Sequence, residues 1–297
     1  GGFVGPHLAR HLRTAGDEVV CFDLESGPDL RDSEAWIAAI GDHQPDVVYH
    51  LAGWSDVGGS WHDPITTFEV NTMGTISILE AVRQAGAGRV LLISSADVYG
   101  VVTPDVLPLT EEHPVRPRSP YGASKQAAEA AALQYRRGSG VDVVVARPFN
   151  HLGPGQAPRF VAPSFAAQIA RAESGGSRRL EHGDLSPHRD LTDVRDVVRA
   201  YRLLAEQGES GEIYNVCSGR TVSMQELLDA LLSLSEVRVE QAVDPALVRP
   251  VDLPVLRGSF AKLRATTGWE PEIHLDDTLA SVLADARNDQ RLGLTSH

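Results

Sequence analysis

The chain is poor in cysteine, lysine and methionine, with two of each in 297 residues. Cys21 and Cys217 are too few for a disulfide framework or a thiolate cluster, and no metal site is expected. Each lies in an apolar, strand-like run, which predicts packing roles for both. Long hydrophobic runs are also missing. The stretch 141–146 is among the longest, far short of the roughly 20 residues that cross a bilayer. The opening Gly-Gly-Phe-Val-Gly has neither the basic nor the apolar region of a signal peptide, so a cytoplasmic protein that stays off membranes is expected. Positive charge is the third scarcity. Twenty-seven basic residues against 40 acidic ones give a formal charge of −13, which repels polyanions and argues against nucleic acid as a partner. The cations are nearly all arginine, so a small anionic ligand must be held by arginines or helix N-termini. Otherwise the composition, 42% hydrophobic and 23% charged, is that of a globular protein of one large or two moderate domains.

Apolar runs and helical patterns alternate from the start, the signature of βαβ units and a parallel sheet. Val4, Leu8, Leu12 and Ala15 mark a helix face that Gly16 ends. Strands are expected at 18–24, 46–52, 89–95, 141–147 and 212–216. Helices are expected from Asp32 and Ser33 to Ile40, in one long piece from Pro64 to Gly86, and at 120–137 and 193–207. Ser223 and Glu226 form a capping box for a helix through Leu234, and shorter helices fit 259–267 and 276–286. The pattern loosens after about residue 150, which suggests a dinucleotide-binding domain over 1–150 and a smaller mixed α/β unit over 151–297, with some chain returning to the first. The fold class is α/β with a doubly wound parallel sheet.

Gly2-Phe-Val-Gly5 opens a helix as the end of a glycine fingerprint does, and the strand that should precede it is not in the sequence. About ten further N-terminal residues, enough for one strand, are therefore expected in the natural polypeptide. Asp23 closes the next strand 21 residues after Gly2, near the offset at which a carboxylate meets the adenosine ribose diol and repels a 2′-phosphate. NAD(H) is favoured over NADP(H), although a strand-end Asp can also simply start a turn.

Tyr121 and Lys125 are spaced i, i+4 at the start of the helix that Ser119 and Pro120 open, so both leave one face and can converge on one oxygen. With six Tyr and two Lys, the chance expectation of that spacing is about 0.04. A phenol shifted by about three pKa units needs roughly 4 kcal/mol of phenolate stabilisation, which a nearby ammonium and a helix N-terminus can supply. Ser94 and Ser95 end the preceding strand, at the carboxyl edge where open α/β sheets bind ligands.

Six motifs together resemble the extended short-chain dehydrogenase/reductases that act on nucleotide sugars: Gly2-Phe-Val-Gly5, His50-Leu-Ala-Gly53, Asn71-Thr-Met-Gly-Thr75, Ser94-Ser95 with Tyr99-Gly100, Ser119-Pro-Tyr-Gly-Ala-Ser-Lys125 and Arg147-Pro-Phe-Asn150. Within that family Phe149-Asn-His-Leu-Gly-Pro-Gly-Gln156, Asn215-Val-Cys-Ser-Gly219 and Leu247-Val-Arg-Pro250 look most like GDP-6-deoxy-4-keto-mannose reductases, with GDP-mannose 4,6-dehydratases as close kin. The resemblance implies that Tyr121 protonates the C4 oxygen as hydride arrives, Lys125 lowers its pKa and Ser95 holds the carbonyl. It implies cofactor contacts at Gly2, Gly5, Asp23, Asp29, Leu30, Leu51, Ala52, Gly53, Ser94, Tyr121, Lys125 and Pro148, with Asn71 ordering the lysine. It implies that Asn150, Arg189, Arg220, Arg249 and Asp252 hold the diphosphate, base or ribose of the substrate, and that a homodimer forms through 64–86 and 120–137.

Two departures bear on the reaction. Asp97 stands where the dehydratases usually carry a Glu that expels water, and Gly153-Pro-Gly-Gln156 replaces their arginine-rich stretch. The reductase is favoured, with NADP(H) possible as cofactor. A 4,6-dehydratase or a nucleotide-sugar 4-epimerase is the alternative, and a non-catalytic NAD-sensing protein is disfavoured by the intact Tyr121 and Lys125.

Overall fold

The computed structural model describes residues 2–248 and 254–293. The first half runs α1 (Val4–Thr14), α2 (Ser33–His43), β1 (Val47–His50), α3 (Pro64–Phe68), α4 (Gly74–Ala85), β2 (Arg89–Ile93), α5 (Pro120–Ser139) and β3 (Val143–Pro148). The second runs β4 (Asn150–Leu152), α6 (Val161–Glu173), β5 (Arg179–His182), β6 (His188–Asp193), α7 (Val194–Gln207), β7 (Ile213–Val216), β8 (Thr221–Ser223), α8 (Met224–Ser233), β9 (Glu240–Val243), β10 (Val255–Leu256), α9 (Ala261–Thr267) and α10 (Leu275–Leu292).

A parallel sheet in the order β1-β2-β3-β7 forms the centre. Both of its faces are covered, which is why β3 is a run of buried valines rather than an alternation. Successive residues of β2 point to opposite faces. Leu91 and Ile93 pack with Leu8 and Leu12 of α1 and with Val197, Tyr201 and Leu204 of α7. Val90 and Leu92 pack with Trp36 and Ile40 of α2, Leu79 and Val82 of α4, and Ala128 and Ala132 of α5. This two-sided cover is the doubly wound arrangement, and β7 and α7 are chain that returns to it after residue 150.

A second, smaller body lies beyond β3. Its sheet orders β10-β6-β4, with β8 antiparallel to β6, and β5 and β9 form a separate parallel pair. Its core joins Phe165 and Ile169 of α6, Leu227, Leu228 and Leu231 of α8, and Leu279 and Leu283 of α10. The capping box forms as expected: the Ser223 side chain accepts from the Glu226 backbone and the Glu226 carboxylate accepts from the Ser223 backbone.

The expected strand at 18–24 is irregular chain. Its backbone has no ladder partner among the described residues; Val19 packs on the core, whereas Val20, Phe22 and Leu24 are exposed. Cys21 is exposed as well, so only Cys217 is a packing residue. The expected single helix from Pro64 is divided by a π turn at Glu69–Met73, a one-residue insertion of the kind that re-aims side chains at functional sites. Gly86, at φ +60°, ends α4. The last helix runs longer than 276–286, and α6 and the short strands of the second sheet had no counterpart in the expected elements.

Candidate active site

Ser119 caps α5 by accepting the Gly122 N–H at 3.0 Å, and Pro120 takes the first helical position. This start puts Tyr121 and Lys125 one turn apart, both buried, beneath the carboxyl ends of β1 and β2. The Lys125 ammonium donates to the carbonyl of Ile93, the last residue of β2, at 2.9 Å. Burial lowers its pKa to about 8, against a partial opposing pull from Glu129.

The phenol behaves differently from the expectation. Burial pushes the Tyr121 pKa upward and the Asp97 carboxylate adds to it, while a hydrogen bond with Ser95 pulls it back. In the chain by itself Tyr121 is therefore firmly protonated. That is the form able to give a proton to an alkoxide, which is more basic than any phenolate. Ser95 caps the 3-10 turn Ala96–Tyr99, accepting the Asp97 N–H at 3.1 Å and donating to Asp97 Oδ2 at 2.9 Å.

The π turn aims Asn71 into this cluster. Asn71 Oδ1 accepts the Trp54 N–H at 2.7 Å, and its Nδ2 donates to the Trp54 carbonyl at 3.2 Å and to Ser124 Oγ at 2.9 Å. Ser124 donates in turn to the Tyr121 carbonyl at 2.7 Å. Gly53 has to be glycine: a Cβ there would fall 2.6 Å from Asn71 Oδ1 and 3.5 Å from Lys125 Nζ. Behind them the Thr75 hydroxyl donates to the Asn71 carbonyl at 2.6 Å and so receives the Nε2–H of His50 at 3.0 Å. Burial, with Lys125 nearby, lowers the His50 pKa to about 3 and keeps it neutral.

The sheet's carboxyl edge gathers most of the expected cofactor residues. Leu51 and Ala52 follow β1, Ser94 follows β2 and Pro148 closes β3. Ser94 Oγ is buried with no partner among the described residues. Gly2, at φ +78°, and Gly5 face open space where a side chain would stand, and α1 begins without a side-chain cap, which leaves its first N–H groups to an anion. Phe3 stacks on His151 at 6.0 Å and brings that helix start to the same edge. These features fit a dinucleotide. Three adenine-side candidates are already engaged. Asp23 closes a turn, accepting from the Glu25 and Ser26 N–H groups at 3.0 Å and the Ser26 hydroxyl at 2.8 Å. Asp29 pairs with Arg31 at 2.6 Å, which lowers its pKa. The Leu30 side chain is core, packed against Gly74, so only its backbone faces outward chemistry.

The second sheet carries the expected substrate residues. Asn150 on β4 pairs with Leu191 of β6, Arg189 on β6 pairs with Val222 of β8, and Arg220 immediately precedes β8. Asn150 and Arg220 are exposed and Arg189 is half-buried. Arg249 and Asp252 lie outside the described residues. Among the described residues no group of three or more His, Cys, Asp or Glu is placed to hold a metal ion, and no helix is long and apolar enough to cross a membrane.

The family model described as GDP-mannose 4,6 dehydratase matches residues 25–282. The chain belongs to that family. It is 42% identical to the GDP-6-deoxy-D-mannose reductase of Pseudomonas aeruginosa over 96% of this chain and 94% of the relative. It is 32% identical to a UDP-glucose 4-epimerase of Mycolicibacterium smegmatis over 97% of this chain and 96% of that one. The solved structure of RMD from Pseudomonas aeruginosa complexed with NADPH matches with a TM-score of 0.89 at 41% identity, over 97% of this chain and 96% of that one. A Thermus thermophilus UDP-glucose 4-epimerase complexed with NAD matches at 0.84 and 32%, over 96% of each chain.

Within this dehydratase family framework, sequence reasoning named Tyr121, Lys125 and Ser95 but gave no task to Ser124, Thr75 or His50. All three were inside the quoted motifs. Their task, holding Asn71 and the start of α5, depends on contacts 25 and 53 residues apart that spacing alone does not reveal.

Proposed function

We propose that this chain is a cytoplasmic oxidoreductase that reduces C4 of a GDP-6-deoxy-4-keto-hexose, a GDP-4-dehydro-6-deoxy-D-mannose reductase. The observation that carries the reading is the buried pair Tyr121 and Lys125, the phenol beside Ser95 and the ammonium tethered to Ile93 at the carboxyl edge of the sheet. When bound, the dinucleotide supplies hydride. The dinucleotide belongs to the first domain, residues 1–150, on Gly2, Gly5, Leu51, Ala52, Gly53, Ser94 and Pro148, with NAD(H) favoured if Asp23 releases its turn to meet the ribose. The 2′-phosphate form is the other candidate, in keeping with the NADPH complex of the Pseudomonas structure. Ser95 positions the carbonyl, Tyr121 donates the proton to its oxygen, and Lys125 supplies positive charge beside the developing alkoxide. The smaller unit, residues 151–297, takes the nucleotide sugar, with Arg189, Arg220 and Arg249 suited to bidentate phosphate contacts and Asn150 and Asp252 to polar groups of the sugar or base. The work is done by a homodimer: Ile65, Phe68 and Met73 on α3 and the π turn are exposed and apolar, and a partner would cover them with α5.

Asp97, hydrogen-bonded to Ser95 and close to Tyr121, favours one second reading, a 4,6-dehydratase in which it is the extra acid. A panel of GDP-, UDP- and dTDP-sugars with NADH or NADPH separates the two. The reductase oxidises one nicotinamide per sugar, greatest with the GDP-4-keto substrate. Water loss from GDP-mannose without net absorbance change would overturn it.

A further inference from the structure

Asp190 is fully buried, yet every donor that meets it among the described residues is uncharged. One oxygen accepts the N–H of Ser218 at 2.8 Å and its hydroxyl at 2.6 Å. The other accepts the N–H groups of Gly219 at 3.0 Å and Gly258 at 3.1 Å. A carboxylate has about four acceptor sites, and here all are filled. The approach is as close as the chain permits. A Cβ on Gly258 would fall 2.6 Å from Phe149 and 2.7 Å from Cys217, and Gly219 sits at φ +74°.

The three segments joined at this carboxylate have different origins. Residues 218–220 leave β7 of the central sheet and lead through Arg220 into β8. Gly258 follows β10, and Asp190 itself lies on β6 beside Arg189. The Ser218 hydroxyl, having donated to Asp190, accepts the Arg220 N–H at 3.2 Å. Successive strand residues face opposite ways, so the arrangement that buries Asp190 turns Arg189 to the other side.

We propose that Asp190 is the positioning residue of the nucleotide-sugar site: acting through Ser218, it fixes the backbone of Arg220 at the start of β8, the strand that pairs with Arg189, without touching substrate. The inference rests on the proposed role of those arginines toward the diphosphate. An asparagine would place an NH2 against two N–H donors, and an alanine would leave all four donors without the carboxylate, the Gly258 N–H among them buried.

The test is a steady-state and binding comparison with the GDP-4-keto-6-deoxy sugar on the full chain. Ser218→Ala, which removes the hydroxyl's bonds to Asp190 and Arg220 and keeps the turn's backbone bonds to the carboxylate, is expected to raise KM for the sugar about tenfold, as loss of one charge-assisted hydrogen bond does. Its kcat and its Kd for NADPH should stay within about twofold, and Ser218→Thr, which keeps the hydroxyl, should restore KM. Asp190→Asn should raise KM further. Because Ser218 acts through Arg220, adding Ser218→Ala to Arg220→Ala should change KM no more than Arg220→Ala alone. If Asp190→Asn does not fold, Ser218→Ala and its cycle with Arg220→Ala decide. An unchanged KM in Ser218→Ala, or fully additive effects, overturns the inference while leaving Arg220 in place. An unchanged KM in Arg220→Ala overturns instead the assignment on which the inference rests, and the inference with it.

Discussion

The two halves of the molecule bury a carboxylate by opposite means. In the first, Glu129 on α5 meets Arg147 on β3 through two bonds of 2.8 and 2.7 Å, both side chains only 4% exposed. Arg147 also donates to the Tyr99 hydroxyl at 3.1 Å, which donates to Asn215 at 2.7 Å. In the second, Asp190 is held by backbone N–H groups and one hydroxyl. A bidentate ion pair locks one helix to one strand, and so sets the Tyr121 and Lys125 face of α5 against the sheet edge. A carboxylate filled by turn amides instead ties several loops to one strand. The half proposed to do the chemistry is braced between regular elements, and the half proposed to grip the substrate is braced between turns.

Breaking the first brace has the largest expected effect. Glu129→Ala strands a buried guanidinium and should cost about 3–5 kcal/mol in denaturant unfolding, whereas Glu129→Leu with Arg147→Met should recover most of it. A double variant as unstable as the single one would mean that the pair is not what fixes α5. Next comes the division of labour. Arg220→Ala should raise KM for the GDP-sugar by about 10- to 100-fold with kcat nearly unchanged, as loss of a charge-assisted phosphate contact predicts. A drop in kcat of equal size would blur the contrast between the halves.

Titration gives a third, smaller contrast confined to the first half. Lys125 has its pKa lowered from 10.5 to about 8, so between those values the unfolded chain binds a proton that the folded chain does not. Stability should therefore rise with pH across that window, while kcat/KM should fall above about pH 8 as the ammonium is lost. Lys125→Met should flatten both profiles; a wild-type rate that is level to about pH 10 would separate Lys125 from catalysis. The smallest effect lies in the second half: Ser223→Ala removes the cap of α8 and should cost about 1 kcal/mol in unfolding without altering kcat.

The two halves were also unequally legible. The valines of β3, the Asp32 and Ser223 caps and the Tyr121–Lys125 spacing are local signals, and each lies where its pattern placed it. The stretch 18–24 has a strand's composition, but a strand needs a ladder partner, and composition cannot supply one. The π turn that aims Asn71 is a single inserted residue within a helical pattern, below the resolution of periodicity. In the second half, strands of two or three residues carry no alternation to read, and the donors that meet Asp190 lie 28 to 68 residues away. Spacing on a helix face brings two side chains together without fixing what each one meets: Lys125 donates to the end of β2, and burial raises the Tyr121 pKa in the chain by itself.

The central claim is that Tyr121 gives the proton to the C4 oxygen. A single-turnover measurement with enzyme and NAD(P)H in excess over the GDP-4-keto-6-deoxy sugar tests it most directly. Tyr121→Phe is expected to bind the reduced cofactor as the wild type does and to oxidise it about 10²- to 10⁴-fold more slowly. Oxidation at the wild-type rate, with the sugar reduced to the same product, would contradict it.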